Sequence, residues 1–208
     1  MKTSVMGLFP TPFMTCEGAI DAALVERLRA RAVSAWKQSN VRTDLLSHTE
    51  MIDPKDDADF TRVGEIINAR LVEFGELLFG EKLQWTVKET WLNVLQKNGS
   101  QFLHSHANSF ISGVIYLTEQ HASARTMFAK SMGGTEFVFK NDGNSAKIGP
   151  YNGEKWMVPA AKPGDMILYP SYLLHGVAPN QGGERVSLAL NAIPNKLKSY
   201  GYEIGFSR

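Results

Sequence analysis

From Leu83 onward the chain breaks into short apolar runs, and this constrains the fold more than any other feature. "LQWTVKETWLNVLQ", "FLHSHA", "FISGVIYL", "TEFVFK", "KWMVPA", "DMILYP" and "RVSLALNAI" are β-branched or aromatic and are separated by Gly, Pro, Asn and Asp. Runs of this kind read as strands. Two amphipathic patterns stand ahead of them. In residues 19–37, Ile20, Leu24, Leu28 and Ala32 recur at four-residue spacing, widened by Val25, Val33 and Trp36. In residues 60–79 the stripe is Val63, Ile67, Leu71, Phe74 and Leu78, with Asp59 placed to cap its start and Gly80 to stop it. The polar segment between these helices reads as loop. Two helices followed by many short strands predict a mostly β, α+β chain, a sandwich or jelly roll carrying helices on one side.

A length of 208 residues suits one domain, with 1–80 as helical support and 81–208 as the jelly-roll core. The net charge of +1 comes without any Lys/Arg-rich run, so neither nucleic acid nor an anionic membrane is an expected partner. No stretch approaches the roughly 20 apolar residues of a membrane span. Pro10 and Pro12 interrupt the N-terminus before any apolar core, so no signal peptide is expected and the predicted location is cytoplasmic. The lone Cys16 excludes an intramolecular disulfide and a multi-thiolate metal site. Residues 118–155 are richer in Gly, Ser, Lys and Asn than their flanks, which suits loops over a barrel mouth. For assembly, a symmetric homodimer is the default expectation.

The chemistry begins at "FLHSHANSFISGVIYL", where His104 and His106 stand two residues apart and share one face of a strand. Such a pair does not by itself mark a metal site, because a surface strand can carry two solvated histidines. A third histidine, His175, follows the apolar run of "KPGDMILYPSYLLHGVAPNQGGERVSLALN"; Arg185 comes ten residues later and Ser187 two after that. On the strand from Arg185 to Asn191, Val186, Leu188 and Leu190 face one way and Arg185, Ser187, Ala189 and Asn191 the other. An arginine on the inside of such a strand needs an anionic partner. That partner is either a carboxylate of the protein or a bound dicarboxylate, which a guanidinium grips in bidentate fashion.

These two blocks, with "LFPTPF" near the N-terminus and "WLNVLQKNGSQ" before the histidines, resemble the iron(II)- and 2-oxoglutarate-dependent dioxygenases. The likeness is greatest to a branch of 2-oxoglutarate–iron(II) oxygenases from bacteria and phages. It implies a double-stranded β-helix, a cupin-like jelly roll, packed against two or more helices. It also implies Fe(II) held by His104 and His175, with Arg185 and Ser187 gripping the remote carboxylate of 2-oxoglutarate. Asn93, eleven residues before His104, and Tyr116, on the face of Ser112, match positions from which family members hydrogen-bond that co-substrate. The implied activity consumes O2 and 2-oxoglutarate, hydroxylates a small molecule or a side chain, and releases succinate and CO2.

The chain departs from the family at one ligand. His106 stands where an acid is usual, and neither Ala107 nor Asn108 supplies a carboxylate. The expected metal set is therefore His104, His106 and His175, which leaves the ion one unit more positive than a two-histidine, one-carboxylate site. Alternatives are a His106 that turns away, or a distant acid, Glu119 or Asp165, as third ligand. Two other functions stay open: a three-histidine cupin-like dioxygenase that does not use 2-oxoglutarate, and a non-catalytic jelly-roll binding module. His48 and His121 read as solvated, and Trp85, Trp91 and Trp156 as core.

Overall fold

The computed structural model describes residues 2–34, 37–39, 45–55, 57–130 and 144–206. Both helical stripes form helices, α1 (Ala22–Ser34) and α2 (Ala58–Phe79). Leu24, Val25, Leu28 and Ala32 of α1 are buried, whereas Val33 faces solvent; Trp36 lies outside the described residues. Helix α2 is capped by Asp57, not Asp59: the Asp57 carboxylate accepts the Asp59 N–H at 2.8 Å. Asp59 instead receives Arg27 of α1 at 2.9 Å and ties the helices together. Gly80 ends α2 in the left-handed conformation (φ 71°), its N–H returning to the Glu76 carbonyl.

Thirteen strands are described: β1 (Met14–Cys16), β2 (Lys37–Ser39), β3 (Leu46–Thr49), β4 (Trp85–Leu95), β5 (Gln101–His104), β6 (Ile111–Tyr116), β7 (Thr126–Ala129), β8 (Lys155–Met157), β9 (Met166–Pro170), β10 (Leu174–Val177), β11 (Arg185–Pro194), β12 (Lys196–Ser199) and β13 (Tyr202–Gly205). They form an antiparallel seven-stranded sheet, β1-β9-β6-β11-β4-β3-β2, a four-stranded sheet, β5-β10-β7-β8, and the hairpin β12-β13. The polar segment expected as loop contains β3, and the N-terminal 80 residues supply both edges of the large sheet. A boundary at residue 80 therefore does not divide the sheet: backbone pairing recruited edge strands too short and too polar to show in the pattern. The run "TEFVFK" lies outside the described residues.

Alternation along β11 assigns each face of the large sheet. Val186, Leu188, Leu190 and Ala192 join Leu92 and Val94 of β4 in one core with Leu24, Leu28, Ile67, Leu71 and Phe74 of the helices. Each such fully buried aliphatic or aromatic side chain contributes about 1.5–3 kcal/mol. On the opposite face Val114, Tyr116, Ile167 and Tyr169 pack against Phe128 of the smaller sheet. The result is a jelly-roll sandwich with helices outside and a polar-lined interval between its sheets. Trp85 is core, as expected, but Trp156 is exposed and Trp91 lines that interval. No helix among the described residues is long and apolar enough to cross a membrane.

Candidate functional site

His104 ends β5 and His175 lies on β10, and the two are direct partners across the antiparallel pair. His106 follows β5, its main-chain N–H held by the Ser171 carbonyl at 3.1 Å. The three imidazoles thereby converge: one ligand atom from each lies within 4.8 Å of the others, the sole such cluster among the described residues. Two of them share a local device. The Nδ1 of His104 meets the Phe102 carbonyl at 2.8 Å, and that of His175 meets the Leu173 carbonyl at 2.9 Å. A carbonyl only accepts, so Nδ1 carries the proton in both rings and Nε2 keeps its lone pair. The Tyr169 hydroxyl donates to that lone pair of His175 at 3.0 Å.

Burial keeps His106 and His175 neutral. Desolvation, then the neighbouring His104, lowers the pKa of His106 to about 4 and that of His175 to about 3. Both lie below the value of about 6.5 in the unfolded chain, which therefore takes up protons first as the pH falls. Metal-free protein is expected to hold its full stability above about pH 6.5 and to lose it as the pH falls toward 4. The slope approaches about 1.4 kcal/mol per pH unit for each histidine. Urea midpoints at about pH 7 and about pH 5 measure the loss, and His175→Gln should flatten it; an unchanged slope in that variant would mean the loss arises elsewhere.

Beyond the imidazoles lies Arg185, 5 % exposed. Its Nη1 donates to Ser187 Oγ at 3.4 Å and its Nη2 to Thr126 Oγ1 at 3.2 Å, and its Nε is buried without a partner. Among the described residues no carboxylate pairs with it. Of the two partners the sequence left open, a protein carboxylate is not found among the described residues. Tyr116 backs this group: its ring lies under the guanidinium, 5.5 Å from Cζ, and its hydroxyl shares a hydrogen bond with Thr126 at 3.0 Å. Asn93 is the register partner of Ser187 and lines the same cavity, its Oδ1 taking the Trp91 indole N–H at 3.1 Å. The cavity is narrow at the Arg185 end and opens past the histidines into an outer pocket of about 390 Å³, walled by Met51, Glu89, Trp91, Phe102 and Leu103.

All seven residues singled out in the sequence thus gather in one region. The distant acids do not. Glu119 is exposed, and Asp165 is spent on the backbone N–H groups of Gly18 and Lys162. The acid near the cluster is Glu89, which the sequence reading missed along with Thr126, Tyr169 and Asn191. No spacing relative to the histidines announces any of them. His48 lies on β3 at the pocket wall and bonds the Thr49 carbonyl, so it is not a loop residue.

The family model described as "Putative 2OG-Fe(II) oxygenase" matches residues 89–191. No curated protein matches the chain. Among solved structures, HygX from Streptomyces hygroscopicus, with nickel, 2-oxoglutarate and hygromycin B bound, superposes with a TM-score of 0.65 at 14% identity, covering 88% of this chain and 83% of its own. A 2OG-Fe(II) oxygenase family oxidoreductase from Burkholderia pseudomallei gives 0.60 at 16% identity over 86% and 83%. A Pseudomonas putida prolyl-4-hydroxylase gives 0.59 at 16% identity over 87% and 92%. That model spans every residue of the imidazole cluster and its arginine, and the fold is shared with these oxygenases, so residues 89–191 are similar to the 2-oxoglutarate–iron(II) oxygenases.

Proposed function

We propose that the protein is an Fe(II)- and 2-oxoglutarate-dependent dioxygenase that hydroxylates an organic substrate, a small molecule or a side chain, with release of succinate and CO2. The observation that carries this reading is a buried guanidinium with an orphaned Nε and, among the described residues, no carboxylate partner, in one cavity with three imidazoles. The donor set fits a first-row divalent ion, and the unpaired cation fits the far carboxylate of a dicarboxylate.

His104 and His175 would hold the metal through Nε2, with His106 as the third imidazole. Arg185, Ser187 and Thr126 would hold the remote carboxylate of 2-oxoglutarate, with Tyr116 fixing Thr126 from behind and Asn93 at the cavity wall. When bound, the metal and co-substrate together supply the oxidising equivalents drawn from O2. The side chains do the rest by position. Tyr169 must release His175 Nε2 as that lone pair is taken, and Phe128, packed against Tyr169 and His175, keeps bulk water from the ring. The substrate enters from the outer pocket, whose Trp91 and Phe102 offer apolar surface beside the histidines.

Anaerobically iron-loaded protein should bind 2-oxoglutarate in calorimetry and, in air, form succinate slowly even without substrate. The three-histidine set itself favours a second reading, metal dioxygenation without 2-oxoglutarate. Metal uptake with no detectable 2-oxoglutarate binding would decide for it.

A further inference from the structure

The carboxylate missing at position 106 stands across the cavity on β4, as Glu89, and reaches His106 through the Asn191 amide of β11. In the pairing of β4 with β11, Asn191 opposes Glu89 but Ala192 opposes Val87, so Lys88 is the extra residue of a β-bulge. The bulge brings adjacent side chains together, Lys88 Nζ lying 3.0 Å from Glu89 Oε1. The other carboxylate oxygen, Oε2, accepts from Asn191 Nδ2 at 2.7 Å, and the same nitrogen faces His106 Nδ1 at 3.3 Å. Asn191 Oδ1 takes the Ser112 hydroxyl at 2.7 Å. Ser112 adjoins Ser171 at 2.8 Å, and Ser171 adjoins Ser109 at 3.0 Å, so the far side of the amide is anchored as well.

A primary amide donates from one side and accepts from the other. Turning Asn191 over would set Oδ1 against the Glu89 carboxylate, two acceptors at hydrogen-bond distance with no proton between them. Glu89 therefore dictates that Asn191 donates toward His106. Nδ1 of a neutral imidazole that accepts leaves the proton on Nε2. This is the reverse of His104 and His175. A metal needs a bare ring nitrogen, and here Nδ1 is occupied and Nε2 protonated.

We infer that Asn191, oriented by Glu89, is a positioning residue that holds His106 in the tautomer opposed to metal binding, making it the weak member of the three-imidazole set. The inference rests on reading the cluster as a metal site. His106 ligates only when its proton moves to Nδ1 and the Asn191 amide turns against Glu89.

Long-range ¹H–¹⁵N spectra of the metal-free protein test this directly. They should show His104 and His175 protonated on Nδ1 and His106 on Nε2. The charge-conserving exchange Glu89→Gln with Asn191→Asp reverses the relay, because the carboxylate introduced at 191 accepts from His106 Nδ1. It should move the His106 proton to Nδ1 and tighten Co(II) binding, titrated without co-substrate, about tenfold or more. The gain should vanish when His106→Ala is added. Glu89→Gln alone frees Asn191 to turn and should shift the tautomer in the same direction, less completely. A His106 proton on Nδ1 in the unaltered protein overturns the inference, as does a gain in Co(II) affinity that survives His106→Ala. Failure of every variant to take up Co(II) sinks the metal reading itself, and this inference with it.

Discussion

Arg185→Met is expected to weaken 2-oxoglutarate binding about a hundredfold or more while raising the melting temperature of the co-substrate-free protein. The two effects share one cause. The guanidinium is buried against Ser187, Thr126 and the Tyr116 ring with no carboxylate beside it among the described residues. Two charge-assisted hydrogen bonds to a carboxylate are worth about 3 kcal/mol or more together, which is some two orders of magnitude in affinity. Without the dicarboxylate the same charge is a liability: burial opposes its protonated form, and its Nε has no acceptor among the described residues. Methionine of similar length removes that cost and leaves Thr126 bonded to Tyr116, so a gain of about 1–3 kcal/mol is expected. Such a gain raises the midpoint of a domain this size by a few degrees. Metal uptake should change by less than about threefold, since no guanidinium atom approaches the imidazoles within hydrogen-bond distance. Calorimetry with 2-oxoglutarate, Co(II) titration and a thermal melt read the three quantities. Equal losses of metal and 2-oxoglutarate affinity would show that Arg185 merely supports the cavity. A lower melting temperature would mean that its hydroxyl partners offset the desolvation.

What the sequence disclosed and what it hid divide along a physical line. Strand periodicity put Arg185 and Ser187 on one face, with Arg185 a cation in an otherwise apolar strand, whereas the family resemblance joined His104 and His175 to them as ligands. Helix α2 was legible because its stripe is long and ends at Gly80. Its cap was not: Asp57 and Asp59 stand in one acidic run, and only the backbone geometry selects between them. Thr126 and Tyr169 escaped because each reaches its partner across the interval between the two sheets, Thr126 of β7 to Arg185 of β11 and Tyr169 of β9 to His175 of β10. Glu89 escaped for a second reason. Strict alternation cannot represent a bulge, and the extra residue at Lys88 re-aims both of its side chains. The histidine at 106 was therefore visible, while the acid that acts on it, through Asn191, was not.

The meeting of His104 and His175 depends on a residue with no side chain at all. Between the paired positions His175–His104 and Val177–Gln101 the register shifts, so that Gly176 opposes both Phe102 and Leu103. A Cβ placed on Gly176 would stand 2.6 Å from the Gln101 carbonyl oxygen and 3.1 Å from the carbonyl of Phe102. These are main-chain atoms of β5 and cannot swing aside as a flexible side chain would. The second of them is the carbonyl that orients His104 through Nδ1. Gly176→Ala must therefore part β10 from β5 at the point where the two ligands meet. The expected cost is about 1–3 kcal/mol in stability, as for overpacking elsewhere. The larger effect falls on the metal. Ligand distances tolerate only about 0.2 Å, and functional constellations about 0.5 Å, so Co(II) affinity should fall at least about tenfold. Gly183 is the control: a Cβ there meets nothing within 4 Å, and Gly183→Ala should leave both quantities unchanged. Folded Gly176→Ala protein that binds Co(II) as tightly as the parent would show that the imidazoles gather without the close approach of β5 and β10. A loss of Co(II) affinity in Gly176→Ala that is absent from Gly183→Ala would place the metal-binding geometry in that one strand crossing.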